Sequence, residues 1–279
     1  DVLEQRVASL EGGAAALGMA SGQAAQFITI NSLLEAGDHI VAASTLYGGT
    51  YTQFDVSFRR MGYDVTFVDP DDPENFRKAI TPRTRAILLN SPGNPAGAVF
   101  DMATLEGIAA LAKRHDLLVF SDEIYEKMVF GSACHVSIAS LPGMADRTLT
   151  FNGFSKAYAM TGWRVGYVTG PRSLLRNMLK IHGHAVTCPA SFAQKAAAVA
   201  LNPDRVGSCR LRQRAALPTR FELGNDARFA DDAPRFTYRG GLAPRGSYHL
   251  DWREAERLGD HFYRLDGPLA AEVLRRALS

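Results

Sequence analysis

Lys156 stands in the segment Gly153-Phe-Ser155-Lys156-Ala-Tyr-Ala-Met-Thr-Gly-Trp-Arg164-Val-Gly166. A lysine on a tight turn is an amine nucleophile that can condense with an aldehyde. An arginine eight residues later, where the chain returns, offers a planar fork that can hold a phosphate through paired hydrogen bonds. The plain alternative is a surface lysine and a structural arginine. A lone lysine favours that alternative; a continuous patterned segment reverses the preference. Ser121-Asp122-Glu123-Ile124-Tyr125 follows an apolar stretch, which puts Asp122 at the carboxyl end of a strand, where the sites of α/β proteins lie. Ser91-Pro-Gly-Asn94-Pro95-Ala-Gly97 follows another apolar stretch, and Asn-Pro and Pro-Gly are good turn formers in any protein. Ser21-Gly22-Gln23 precedes a helical pattern. Backbone N–H groups at a helix N-terminus, a small residue and a hydroxyl form a phosphate cradle. An ordinary serine N-cap is the alternative there, and the two are compatible.

Over its whole length the Lys156 segment resembles the lysine signature of class I aminotransferases, which use pyridoxal 5'-phosphate (PLP). The resemblance implies that Lys156, with Ser155 beside it, carries PLP, and that Arg164 and the Ser21, Gly22, Gln23 region anchor its phosphate. It implies that Asp122 pairs with the pyridine nitrogen and keeps the ring an electron sink. Tyr125 and Asn94 resemble the tyrosine and asparagine that hydrogen-bond the cofactor's phenolic oxygen. Tyr47, in Leu46-Tyr47-Gly-Gly-Thr, resembles the aromatic that stacks on the ring. A helix N-cap for Asp122, a packed aromatic for Tyr125 and a turn residue for Asn94 or Tyr47 are the structural alternatives. Arg264, in Phe262-Tyr263-Arg264-Leu265, is the candidate clamp for a substrate carboxylate, with a solvated arginine as its alternative. The catalytic set is thus Lys156, Asp122 and Tyr125.

The matching is not uniform. Leu10-Glu11-Gly12-Gly13, Ala20-Ser21-Gly22-Gln23-Ala24, Leu34-Glu35-Ala36-Gly37-Asp38 and Leu46-Tyr47-Gly48-Gly49-Thr50 resemble Cys/Met-metabolism enzymes, notably O-acetylhomoserine sulfhydrylases. Residues 83–201 resemble aspartate-type aminotransferases. Both families share the type I PLP fold, and the changeover falls near residues 81–85, as in a chimera or a designed sequence. Position 153 is glycine where many relatives carry a phosphate-binding serine, and Ala96 stands where threonine is commoner. The family's N-terminal segment, which helps close the site, is expected to be missing, and the small domain is shorter than usual. The resemblance implies a PLP-dependent aminotransferase acting on an amino acid and a 2-oxo acid, as a homodimer. The alternatives are a PLP lyase or sulfhydrylase of sulfur amino acids, and a PLP-binding protein without turnover.

These residues need a scaffold. Residues 23–35 read as a helix with Ala24, Phe27, Ile28 and Leu34 on one side. Residues 39–43, 64–68, 86–90, 117–121, 148–151 and 164–169 read as strands. Asp72-Pro73 predicts an N-cap and a helix to about residue 80. Leu105, Ile108, Ala109 and Ala112 predict a helix over 102–114. Strands alternating with helices predict an α/β protein with a mostly parallel sheet sandwiched by helices. With the resemblance, that is the type I PLP-dependent transferase fold. Residues 1–202 are expected to form the PLP-binding large domain. Between Arg205 and Ser279 there are fourteen arginines and no lysine, and strand patterning weakens. Residues 203–279 are expected to form a small α+β domain ending in a helix from Pro268.

The 279 residues, 46% hydrophobic and 22% charged, are ordinary for a soluble globular protein. A net charge of +2 gives no reason to expect nucleic acid or a membrane surface, and no apolar run is long enough to span a bilayer. Three cysteines at long spacings predict neither a disulfide framework nor a zinc site and fit a reducing, cytoplasmic compartment. The histidines lack metal spacing, so no metal is expected.

Overall fold

A computed structural model describes residues 2–94, 96–129 and 133–201, together with four short strands nearer the C-terminus. The first unit, residues 1–203, is built on a seven-stranded sheet. Its strands are β1 (Ala15–Met19), β2 (His39–Ala43), β3 (Asp64–Val68), β4 (Thr84–Asn90), β5 (Leu118–Asp122), β6 (Thr148–Gly153) and β7 (Gly166–Gly170). They lie in the order β1-β7-β6-β5-β4-β2-β3, and β7 is the one strand of this sheet that runs antiparallel to its neighbours. The mostly parallel α/β fold expected from the sequence is therefore present. β2 is buried at every position, as a parallel strand covered on both faces requires.

The helices are α1 (Val2–Leu10), α2 (Gly22–Leu33), α3 (Gly48–Thr52), α4 (Pro73–Ala79), α5 (Met102–Arg114), α6 (Arg172–Ala185) and α7 (Ser191–Ala200). α3 continues as a π-helical segment over Gln53–Phe58. α4 and α5 start where capping chemistry places them. Asp72 accepts from the Glu74 N–H at 2.9 Å with Pro73 next in the chain, and Asp101 accepts from the Thr104 N–H at 2.8 Å. α2 corrects the sequence expectation of its inner face. Ala25, Gln26, Ile28, Thr29 and Ile30 are buried, while Phe27 is 37% exposed. Two polar residues thus lie on the buried side, where a hydrophobic-periodicity argument does not put them.

One core spans the sheet. Phe54, Phe58, Phe76, Phe120 and Phe151 are fully buried within it, and Phe54 meets Phe58 edge-on at 4.9 Å. Residues before and after 81–85, where a changeover was expected, share this core. β2, before that stretch, pairs in parallel with β4, which begins within it.

The second unit, residues 204–279, holds two antiparallel pairs: β8 (Phe236–Arg239) with β9 (Ser247–Leu250), and β10 (Glu256–Gly259) with β11 (Phe262–Arg264). The C-terminal helix expected from Pro268 lies outside the described residues, as does Cys209.

Candidate active site at the carboxyl edge of the sheet

Register brings the candidates to one edge. Asn90 of β4 pairs with Asp122 of β5, Asp122 with Phe151 of β6, and Gly153 of β6 with Gly166 of β7. Gly166 in turn pairs with Met19 of β1. Parallel strands end there, and antiparallel β7 begins there. The segments carrying Ser21, Tyr47, Asn94, Asp122, Tyr125, Lys156 and Arg164 therefore all leave or enter the sheet at the same side, as ligand sites of open α/β sheets do.

Lys156 lies in the turn after β6, half-buried, with Nζ 5.4 Å from the centroid of the Tyr125 ring. That turn is fixed by its backbone. The Lys156 carbonyl accepts from the Ala159 N–H, and the Thr161 hydroxyl donates to the Ser155 carbonyl at 2.9 Å. Asn94 Nδ2 donates to the Tyr125 hydroxyl at 3.0 Å. The two residues expected to share one partner oxygen are thus already in contact.

Asn90, which the sequence did not single out, organises this corner. It is 4% exposed; its Nδ2 donates to the Asp122 carbonyl at 3.1 Å, and its Oδ1 accepts from the Asn94 N–H at 3.2 Å. One buried amide therefore ties the end of β5 to the Asn94 turn.

The Asp122 side chain is half-buried at the end of β5. Burial pushes its pKa up to about 6, against the opposing hydrogen bond from the Ile124 N–H, and the neighbouring Glu123 charge pushes the same way. Gln26 Nε2 donates to Asp122 Oδ2 at 2.9 Å, and the Ile124 N–H lies 3.3 Å from Oδ1. These are neutral donors.

The Ser21 hydroxyl caps α2 by accepting from the Ala24 N–H at 3.1 Å. β7 runs hard against this cap. A Cβ on Gly166 would stand 2.8 Å from the Ser21 carbonyl carbon and 2.9 Å from the Gly22 nitrogen, so only glycine allows the approach. A Cβ on Gly153 would stand 3.0 Å from Gly166 Cα, which gives the glycine at 153 a packing reason. Gln23 Nε2 donates to the Thr50 hydroxyl at 2.6 Å, tying α2 to α3. Arg164 enters β7 two residues before Gly166 in a left-handed conformation (φ 55°). It is exposed, and its guanidinium donates to the Thr161 carbonyl at 3.1 Å. Tyr47 is 52% exposed, and its ring lies across Gly49, where a Cβ would meet it at 2.5 Å. Arg264 lies in β11, with its side chain outside the described residues.

Beside the site, Glu123 is 1% exposed. Its Oε1 accepts from the Ser121 and Ser137 hydroxyls at 2.7 and 2.8 Å, and its Oε2 lies 2.9 Å from His135 Nε2. Glu123, Glu126 and His135 place one donor atom each within 4.8 Å, but both Glu123 oxygens are already occupied by these hydrogen bonds. Cys134 and Cys188 are free and exposed. Among the described residues, no helix is long and apolar enough to cross a membrane.

These groups fit PLP. An amine suits an aldehyde, a desolvated carboxylate with no cationic hydrogen-bond partner suits a pyridinium, and the Asn94–Tyr125 pair suits a phenolate. A capped helix N-terminus suits a phosphate, and Arg164, two residues before the Gly166 that packs on that cap, supplies an exposed guanidinium in the same segment.

The model of a family described as aminotransferase class I and II matches residues 1–218. An aspartate aminotransferase of Pyrococcus abyssi is 48% identical over 132 residues, 47% of this chain and 34% of that protein. An aspartate aminotransferase of Musicola paradisiaca is 40% identical over 189 residues, 66% of this chain and 47% of that protein. Among solved structures, an aromatic aminotransferase from Pyrococcus horikoshii OT3 aligns with a TM-score of 0.69 at 33% identity, over 77% of this chain and 62% of that one. The chain thus spans between a third and a half of the length of these curated relatives.

Proposed function

We propose a function from the premise that this chain belongs to the aminotransferase class I and II family. It is a PLP-dependent aminotransferase that moves an amino group between an amino acid and a 2-oxo acid. The observation that carries this reading is the placement of Lys156 Nζ over Tyr125, at the edge where Asn94 and Asp122 also converge.

PLP, when bound, supplies the ring that delocalises the electron pair left as the substrate's α-carbon loses its proton. The chain's own groups divide the remaining work. The Lys156 amine would hold the cofactor, and as a free amine it would move a proton as general acid and base. The Asp122 carboxylate holds the ring nitrogen protonated. The Asn94 amide and the Tyr125 hydroxyl fix the phenolic oxygen. The Ser21, Gly22 and Gln23 backbone, Ser155 and Arg164 hold the phosphate, and Tyr47 covers the ring. Arg264 is the proposed carboxylate clamp. A homodimer in the cytoplasm is part of the same proposal, supported by family membership and by two free thiols.

A second reading rests on the resemblance of residues 2–80 to sulfhydrylases. The aminotransferase family model spans that segment too, matching residues 1–218. A panel of amino acids, each mixed with PLP-loaded protein and 2-oxoglutarate, separates the readings. Glutamate formation supports the aminotransferase. Acetate release from O-acetylhomoserine without glutamate supports the sulfhydrylase. Bound PLP with neither product leaves a binding protein without turnover.

A further inference from the structure

Gln26 has no part in the roles assigned so far, yet its environment is unusual. It lies on the buried face of α2, 1% exposed, among Ala25, Ile28, Thr29 and Ile30. Its Nε2 donates to Asp122 Oδ2 across 96 residues of sequence, while its Oε1 is buried with no hydrogen-bond partner. An apolar side chain of the same volume would fill that space without an orphaned acceptor. The amide therefore costs stability that its packing does not recover. Its orientation follows from chemistry, because only the NH2 side can donate to a carboxylate.

The position on α2 is equally specific. Gln26 stands one turn beyond Gln23, and residues three apart along a helix share a face. Ser21 and Gly22 open that helix against Gly166. One rigid element thus presents its backbone N–H groups at the proposed phosphate end and a side-chain donor at Asp122.

We propose that Gln26 is a positioning residue: its side-chain N–H aims the Asp122 carboxylate and holds it ready for the cofactor's ring nitrogen. This rests on the PLP reading above. The bond favours the charged carboxylate, opposing the burial that disfavours it. Other groups bearing on this carboxylate are the Glu123 charge and the Ile124 N–H, and neither replaces the donor at Oδ2.

The test compares PLP affinity of the full chain with that of Gln26→Met and Gln26→Glu, across pH, with folding of each cofactor-free variant followed by circular dichroism. Gln26→Met removes the donor at similar volume and is expected to weaken PLP binding roughly tenfold to a hundredfold, as for a hydrogen bond to a charged group. Gln26→Glu at high pH sets two carboxylates together and is expected to weaken it at least as much. On lowering the pH the pair takes up one proton, the new O–H donates to Asp122, and the deficit relative to wild type shrinks. The Met deficit has no such recovery. The same fold loss is expected with 5'-deoxypyridoxal, which lacks the phosphate, because the effect acts at the ring.

Affinities within twofold of wild type for both variants at every pH overturn the proposal. So does a Glu deficit that does not shrink as pH falls, which remains decisive if Gln26→Met fails to fold. Wild-type protein that does not bind PLP overturns the functional reading instead.

Discussion

Asp122→Asn tests what the buried carboxyl costs the protein. The substitution keeps the shape and removes the charge. The carboxyl's pKa is raised from 3.8 to about 6, chiefly by burial. A raised carboxyl pKa means that the folded state holds its proton more tightly than the unfolded state. Stability from this group is then greatest below about pH 4, falls as pH rises through about 6, and is level above that. The interval from 3.8 to about 6, at about 1.4 kcal/mol per pH unit, amounts to about 3 kcal/mol. The introduced carboxamide also gives the orphaned Gln26 Oε1 a donor once the Gln26 amide turns over. In urea unfolding without cofactor, the variant is therefore expected to match wild type near pH 4 and to exceed it by up to about 3 kcal/mol at pH 8. With PLP present the order is expected to reverse, because wild type alone offers an anion to the pyridinium and so gains more from binding. A variant less stable than wild type at pH 8 without cofactor, or a stability difference that does not change between pH 4 and pH 8, would refute the reasoning.

Gly166→Ala places a methyl group 2.8 Å from the Ser21 carbonyl carbon, so the start of α2 must shift. A loss of about 1–3 kcal/mol in urea unfolding is expected, with a raised Kd for PLP; unchanged values on both counts would show that the contact is slack. Glu123→Ala leaves the Ser121 and Ser137 hydroxyls and the His135 ring without their shared acceptor. A loss of about 2–4 kcal/mol at neutral pH is expected, read by chemical denaturation; a loss below about 1 kcal/mol would mean the hub is dispensable.

β2 was legible because a parallel strand buried on both faces is an apolar run, and β3, at the sheet's edge, was legible through its β-branched and aromatic residues. Residues 39–43 and 64–68 coincide with β2 and β3, and 102–114 with α5. Capping made α4 legible through Asp72-Pro73. α3 and its π-helical continuation were not legible. Gly48, Gly49, Thr50 and Thr52 are poor helix formers, and burial of Phe54 and Phe58 overrides them. Nor were α6 and α7 expected, since their inward positions are sparse: Leu175, Met178 and His182 in one, Ala193 and Ala197 in the other.

The site divides the same way. Asp122 and Lys156 lie in continuous motifs that a single segment displays. Asn90 and Gln26 act through partners 32 and 96 residues distant, and no local pattern reports such a pairing. Gln26 is one of several polar residues on α2, with Gln23, Thr29, Asn31 and Ser32, and the face assigned from periodicity excluded it.

The most direct test is where PLP attaches. The protein is loaded with PLP, reduced with borohydride, digested, and mapped by mass spectrometry, alongside Lys156→Ala. One equivalent of cofactor on the peptide containing Lys156, and none in the variant, is the expected result. Label spread over several lysines, or equal label in the variant, would contradict the assignment of this edge of the sheet as the cofactor site.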